Sequence, residues 1–108
     1  MSPDAIRSAS RPRGATEQEV RQRLDHERAS RLTQLEAITE ERNEAPRELM
    51  LSQRAAIHRV LTEIEAAFAR LERGTYGRCE GCAGPVPEER LEILPYARCC
   101  VACQRRAV

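Results

Sequence analysis

The sequence is poor in the residues that fill a large hydrophobic core. Its 108 residues include no tryptophan, one phenylalanine (Phe68) and two tyrosines (Tyr76 and Tyr96). Its apolar runs are far shorter than the roughly 20 residues needed to cross a bilayer, and residues 1–4 lack the basic-then-apolar build of a signal peptide. We therefore expect a small cytoplasmic protein without membrane contact, whose thin core needs a metal ion, a disulfide or a partner.

The chain also lacks an excess of charge of either sign. Eighteen arginines and no lysine stand against 17 acidic residues, so the formal net charge is +1 although 32% of the residues are charged. This balance excludes a polybasic nucleic-acid wrapper and an acidic disordered tail. The sequence offers no nucleophile–base pair and no phosphate-binding loop, so we expect no enzymatic activity.

The first 78 residues contain no cysteine and begin with a polar arm. Residues 1–15 are rich in serine, proline and arginine, and this composition predicts a disordered arm. Thr16 and Glu19 have the spacing of a capping box. No glycine or proline follows before residue 43, so a helix is predicted over residues 16–42, with Leu24, Leu35 and Ile38 near one face.

A second helix is predicted over residues 47–73, between Pro46 at its start and Gly74 at its end. Its apolar residues recur in alternating steps of three and four, a pattern typical of a helix–helix seam. The residues of this seam are Ile57, Val60, Ile64, Ala67 and Leu71.

The two predicted helices are nearly equal in length and are separated by only four residues, 43–46. So short a connection favours an antiparallel coiled-coil hairpin over residues 16–73, with its tip at residues 40–48. The alternative is a scaffold in which the helices pair between two molecules.

All five cysteines lie between residues 79 and 103, and four of them have the spacing of a zinc site. Two Cys-x-x-Cys pairs, Cys79 with Cys82 and Cys100 with Cys103, are separated by seventeen residues. Each pair on a tight turn places two sulfurs about 2.3 Å from one ion, and four protein ligands leave no open position. We therefore expect one structural zinc ion that folds residues 74–108.

Two further predictions concern the residues around the second pair. Cys99 is either a small buried apolar residue or a redox-reactive neighbour of Cys100. Between the pairs, we expect a short hairpin that closes over the metal with Leu91 and Ile93 on one face. A short C-terminal helix is predicted to follow Cys100.

Residues 68–104 resemble the zinc finger of the bacterial DksA/TraR family. The resemblance is carried by GTYGRCEGC at residues 74–82, by PEERLEILP at residues 87–95 and by the second cysteine pair. The predicted hairpin fits the same family in order and type. The resemblance implies a mainly α-helical, monomeric transcription regulator that binds RNA polymerase, with no sequence-specific binding to DNA.

The same resemblance implies that the hairpin enters the secondary channel of the polymerase and that its acidic tip approaches the catalytic magnesium. The family tip usually reads D-x-x-D-x-A, whereas this chain keeps the frame with glutamate and asparagine in place of the two aspartates. The polymerase-directed tip would comprise Glu40, Glu41, Asn43, Glu44 and Ala45, and the candidate rim or phosphate contacts are Arg78, Arg98, Arg105 and Arg106.

Family members that respond to the alarmone ppGpp have basic residues where this chain has Leu94 and Gln104. We therefore expect no response to ppGpp, unless Arg98, Arg105 and Arg106 substitute for them. A zinc module that contacts nucleic acid directly is a second interpretation of these arginines. The four glutamates that balance four arginines in residues 79–108 count against it.

Overall fold

The computed structural model of the protein describes residues 14–40 and 46–107. They form four helices: α1 (Glu17–Glu40), α2 (Arg47–Arg73), α3 (Glu88–Ile93) and α4 (Val101–Ala107). The molecule is elongated, with extents of 62 × 30 × 21 Å. Its radius of gyration is 16.9 Å, against about 13 Å for a compact chain of about 100 residues. Within the described ranges, no helix has both the length and the hydropathy to cross a membrane.

Helix α1 begins at the predicted capping box. The Glu19 amide donates to Thr16 Oγ1 at 3.1 Å, and the Thr16 amide donates to Glu19 Oε1 at 3.0 Å. Both groups are backbone donors that the helix itself leaves unpaired. This prediction is confirmed.

Helix α2 has the bounds that the sequence predicted. The Pro46 carbonyl accepts the first helical bond from the Met50 amide at 3.1 Å. Gly74 ends the helix with φ +81°, a left-handed conformation that glycine adopts without steric cost, and its amide donates to the Leu71 carbonyl at 3.3 Å.

Helices α1 and α2 pack antiparallel and form the rod. The rod is tightest at its base, next to the finger, where Leu24 and Ile64 are fully buried and Val20 and Ala67 join them. Farther out, Leu32, Leu49 and Leu51 are each nearly half exposed. Within the predicted seam, Ile64 and Ala67 are buried, whereas Ile57 and Val60, farther from the finger, are only partly buried.

Residues 74–107 form the finger, and one prediction about it is wrong. A helix, α3, occupies the place of the expected hairpin, and the described residues hold a single antiparallel bridge, between Arg78 and Pro85. Leu91 is 5% exposed and Ile93 is 75% exposed, so they do not share a face. Residues two apart share a face in a strand but lie on opposite sides of a helix.

Residues 1–13 and 41–45 lie outside the described part of the chain. The predicted arm therefore stays a prediction, apart from Ala15, which packs against the base of the rod. The predicted tip also stays a sequence-based prediction: Glu40 is the last residue of α1, and Glu41, Asn43, Glu44 and Ala45 lie outside the described residues.

Candidate metal centre

The four predicted cysteine ligands converge on one point. The sulfurs of Cys79, Cys82, Cys100 and Cys103 all lie within 4.8 Å of one another, and the Cys79 and Cys100 sulfurs are 3.8 Å apart. In a tetrahedral site with zinc–sulfur bonds of about 2.3 Å, the sulfurs lie about 3.8 Å apart. All five cysteines are free of disulfide bonds. The geometry therefore fits one zinc ion with four thiolate ligands.

Donors around the sulfurs favour their ionised form. The backbone amides of Cys100 and Gly81 each lie 3.3 Å from the Cys79 sulfur, and an Arg106 guanidinium nitrogen lies 3.2 Å from the Cys103 sulfur. Hydrogen bonds from backbone amides, first among them that of Cys100, lower the pKa of Cys79 to about 5. Such outer contacts orient the ligands and disperse their negative charge.

The crowded sulfurs cannot all ionise without a cation. Hydrogen bonds from the Cys103 thiol to the Cys79 and Cys100 sulfurs raise the pKa of Cys103 to about 12. Like charges this close repel strongly, and a divalent ion removes the repulsion. A closed set of four soft thiolates is the donor set of structural zinc.

The backbone of the first knuckle leaves no room for a side chain at Gly81. A Cβ there would lie 2.9 Å from the Cys103 sulfur. The knuckle is closed by the Cys79 amide bonded to the Gly84 carbonyl at 2.7 Å and by the Ala83 amide bonded to the Cys79 carbonyl at 2.8 Å. Ala83 adopts φ +65°, which is strained for a residue with a Cβ.

The ligands are also part of the finger's hydrophobic core. Buried Cys79 and Cys103 pack with Val86, Leu91 and Ala97. The same two side chains therefore serve both the metal site and the hydrophobic core in this part of the chain.

Tyr76 contacts both this core and the core of the rod. Its hydroxyl donates to the Pro95 carbonyl at 2.7 Å, and burial raises the pKa of Tyr76 to about 12. The neutral, partly buried side chain of Tyr76 therefore links the rod to the finger.

Cys99 is half-buried against the finger core. Its carbonyl accepts a bond from Arg90 Nε at 3.0 Å. Burial raises the pKa of the Cys99 thiol and so lowers the fraction of reactive thiolate. Of the two interpretations that the sequence left open, this environment favours the apolar one.

Arg70 is a structural residue that the sequence did not single out. Its side chain is buried, and it bonds to Glu80 and to the carbonyls of Tyr96 and Ala97. A signal was present, because Arg70 follows the seam residue Ala67 by three positions and so falls on the buried face.

The candidate rim arginines lie on the finger. Arg78, Arg98 and Arg105 are exposed. Arg106 is exposed as well, but its guanidinium contacts the Cys103 sulfur, so it also belongs to the surroundings of the metal site.

Residues 74–108 match the family model of the prokaryotic dksA/traR C4-type zinc finger. The finger is of the DksA/TraR type. This confirms the resemblance seen in the sequence.

The matches to whole proteins span only part of each relative's length. The chain is 46% identical over 43 residues to an uncharacterized protein of Aquifex aeolicus, which is 40% of this chain and 30% of that protein. It is 36% identical over 64 residues to the RNA polymerase-binding transcription factor DksA of Caulobacter vibrioides, which is 59% of this chain and 45% of that protein. The matched part is therefore less than half of either relative.

A structural comparison shows similarity over the rod as well as the finger. The transcription factor DksA2 from Pseudomonas aeruginosa is similar in structure, with a TM-score of 0.50 and 26% sequence identity over 84% of this chain and 73% of that chain. The mainly helical fold that the sequence predicted is confirmed.

Proposed function

We propose that the protein regulates transcription by binding bacterial RNA polymerase. The observation that carries the proposal is that a DksA/TraR-type finger follows a helical rod, in a fold that is similar to DksA2 over 84% of this chain. DksA of Caulobacter vibrioides is an RNA polymerase-binding transcription factor and DksA2 of Pseudomonas aeruginosa is a transcription factor, and both point the same way.

The rod enters the secondary channel of the polymerase with its tip first. Helix α1, with 24 residues, is about 36 Å long, and a slender rod of this kind suits a narrow pore. The carboxylates of Glu40, Glu41 and Glu44 compete near the active site for Mg²⁺ or for basic side chains. Asn43 and Ala45 complete the tip.

The finger stays at the rim of the channel. Arg78, Arg98 and Arg105 are exposed there and meet acidic or phosphate groups of the polymerase complex. The zinc ion shapes the finger and takes no part in chemistry, because its four thiolates leave no open position.

Binding is tested with zinc-loaded protein and purified core RNA polymerase, followed by fluorescence anisotropy, with start-site transcription measured in the same samples. A variant with Glu40, Glu41 and Glu44 changed to alanine should bind the polymerase with an affinity similar to that of the wild type. Initiation in its presence should equal that of the polymerase alone. The charge-matched control removes three exposed carboxylates far from the tip, Glu72, Glu89 and Glu92, and should act on initiation as the wild type does.

Two outcomes would contradict the proposal. Failure of the zinc-loaded wild type to bind the polymerase would mean that the finger serves another partner. A full effect on initiation by the tip variant would show that the tip is not the active element. Steeply salt-dependent binding to DNA would instead favour direct contact with nucleic acid.

A further inference from the structure

A buried guanidinium lies at the junction of the rod and the finger. Arg70, in the last turn of α2, is 3% exposed. Its Nη1 lies 3.4 Å from Glu80 Oε2, and its Nη2 lies 3.3 Å from the Tyr96 carbonyl and 3.5 Å from the Ala97 carbonyl. Its Nε is buried without a partner.

The acceptors of Arg70 belong to both metal-binding segments. Glu80 lies between Cys79 and Cys82, in the first knuckle. Tyr96 and Ala97 lie four and three residues before Cys100, the first cysteine of the second pair. The two segments also meet through the Glu80 amide, which donates to the Arg98 carbonyl at 2.9 Å. An ion that binds both cysteine pairs therefore also keeps together the two segments that carry the three acceptors of this guanidinium.

We propose that Arg70 couples the metal centre to the rod. With the metal ion bound, the guanidinium is paired and fixes the last turn of α2 to the finger. When the metal is lost, the acceptors separate, and a buried charge without partners is too costly to keep. Arg70 then moves into solvent, and the end of the rod loosens from the finger.

The coupling works in both directions, because linkage is reciprocal. A contact that forms only in the metal-bound state must stabilise metal binding by the same factor as the metal stabilises the contact. Tyr76 also joins the two regions, but through apolar packing and a single hydrogen bond. This inference concerns the assembly of the molecule and stands apart from what the rod binds.

The test replaces Arg70 with methionine, which keeps the length of the side chain and removes its donors. Arg73→Met is the matched control, because Arg73 is in the same turn and exposed. Competition with a chromophoric chelator should show zinc affinity lowered about tenfold for R70M, as for other outer-shell contacts, and unchanged for R73M. Arg70→Lys, whose single ammonium cannot span all three acceptors, should fall between R70M and the wild type.

A second readout follows the rod itself. Hydrogen exchange measured by mass spectrometry should speed up at residues 66–73 when zinc is removed from the wild type. Zinc-saturated R70M should show this faster exchange while still holding one zinc ion per chain. R73M should match the wild type.

Wild-type zinc affinity in R70M would overturn the coupling, and so would exchange at residues 66–73 that is indifferent to zinc. If R70M does not fold, Glu80→Gln decides by the same two readouts: it keeps the shape of the acceptor, removes its charge and should lower zinc affinity by a smaller factor. No polymerase enters these assays, so their failure is distinct from failure of the proposed function.

Discussion

The hydrophobic cores of the rod and of the finger consist of different kinds of side chain. At the base of the rod, Leu24 and Ile64 are buried by packing of two long helices. In the finger, the metal ligands Cys79 and Cys103 are themselves core residues, beside Leu91. A chain poor in large apolar residues thus builds its second core around the cysteine ligands of a zinc site.

The rod itself is uneven. Its buried residues cluster near the finger, while Leu32, Leu49 and Leu51 are exposed farther out. Arg28 adds a surface link between the helices, with its guanidinium 4.6 Å from the centre of the Phe68 ring and 2.6 Å from Glu65 Oε2. The outer part of the rod therefore depends more on local helix stability than the base does.

Removal of the metal is the strongest way to separate the two regions. A chelator should unfold the finger and leave most of the rod helical, since α1 and α2 have 24 and 27 residues while α3 and α4 have 6 and 7. NMR spectra should lose the dispersed signals of residues 74–107, and far-ultraviolet circular dichroism should fall only modestly. Added zinc should restore both. Loss of nearly all helical signal would show that the rod depends on the finger.

Truncation of the core should separate the base of the rod from its outer part. Leu24→Ala should lower the free energy of unfolding by about 3 kcal/mol, because Leu24 is fully buried. Leu51→Ala, at a side chain 47% exposed, should cost less than about 0.5 kcal/mol. Urea unfolding of the zinc-loaded proteins measures both. Equal costs would mean that Leu51, in the outer part of the rod, is packed as tightly as Leu24 at the base.

Tyr76 tests the contact between the regions. Tyr76→Phe should cost about 1 kcal/mol through loss of the bond to Pro95. Because the folded pKa of about 12 is above the usual value of about 10, the folded state prefers the neutral phenol. This preference contributes its full stability below about pH 10 and loses it as the pH rises from 10 to 12.

The phenolate absorbance that Tyr76→Phe removes should therefore titrate with a midpoint near 12. A midpoint near 10, or a variant as stable as the wild type, would show that Tyr76 is solvated and that the junction is open.

The smallest expected effect is an increase in the stability of the finger. Ala83→Gly should stabilise the zinc-loaded finger by about 0.5 kcal/mol, because glycine adopts the observed φ of +65° without strain. Ala102→Gly, in the exposed part of α4, is the opposite control and should destabilise by about 1 kcal/mol. Denaturant unfolding measures both. A loss at both positions would mean that Ala83 is not strained.

Local signals accounted for most of the correct predictions. The capping box at Thr16, the bounds of α2 and the meeting of the four cysteines each depend on residues a few positions apart or on one repeated spacing. The helix α3 was missed although its signals are also local: Pro87 before the first turn and acidic Glu88 and Glu89 within it. The two-residue spacing of Leu91 and Ile93 favoured a strand, but the helix signals at Pro87, Glu88 and Glu89 proved the stronger.

By itself, the sequence determined where α1 begins, where α2 begins and ends, and which four sulfurs form the metal site. These features follow from backbone capping, helical period and chelate spacing, all of which act over short distances. The tertiary structure alone decided that the core of the rod is concentrated at its base and that Ile93 faces solvent. It also decided that Arg70 is buried at the junction of the rod and the finger, because its three acceptors are 10 to 27 residues away along the chain and meet only when the finger has folded.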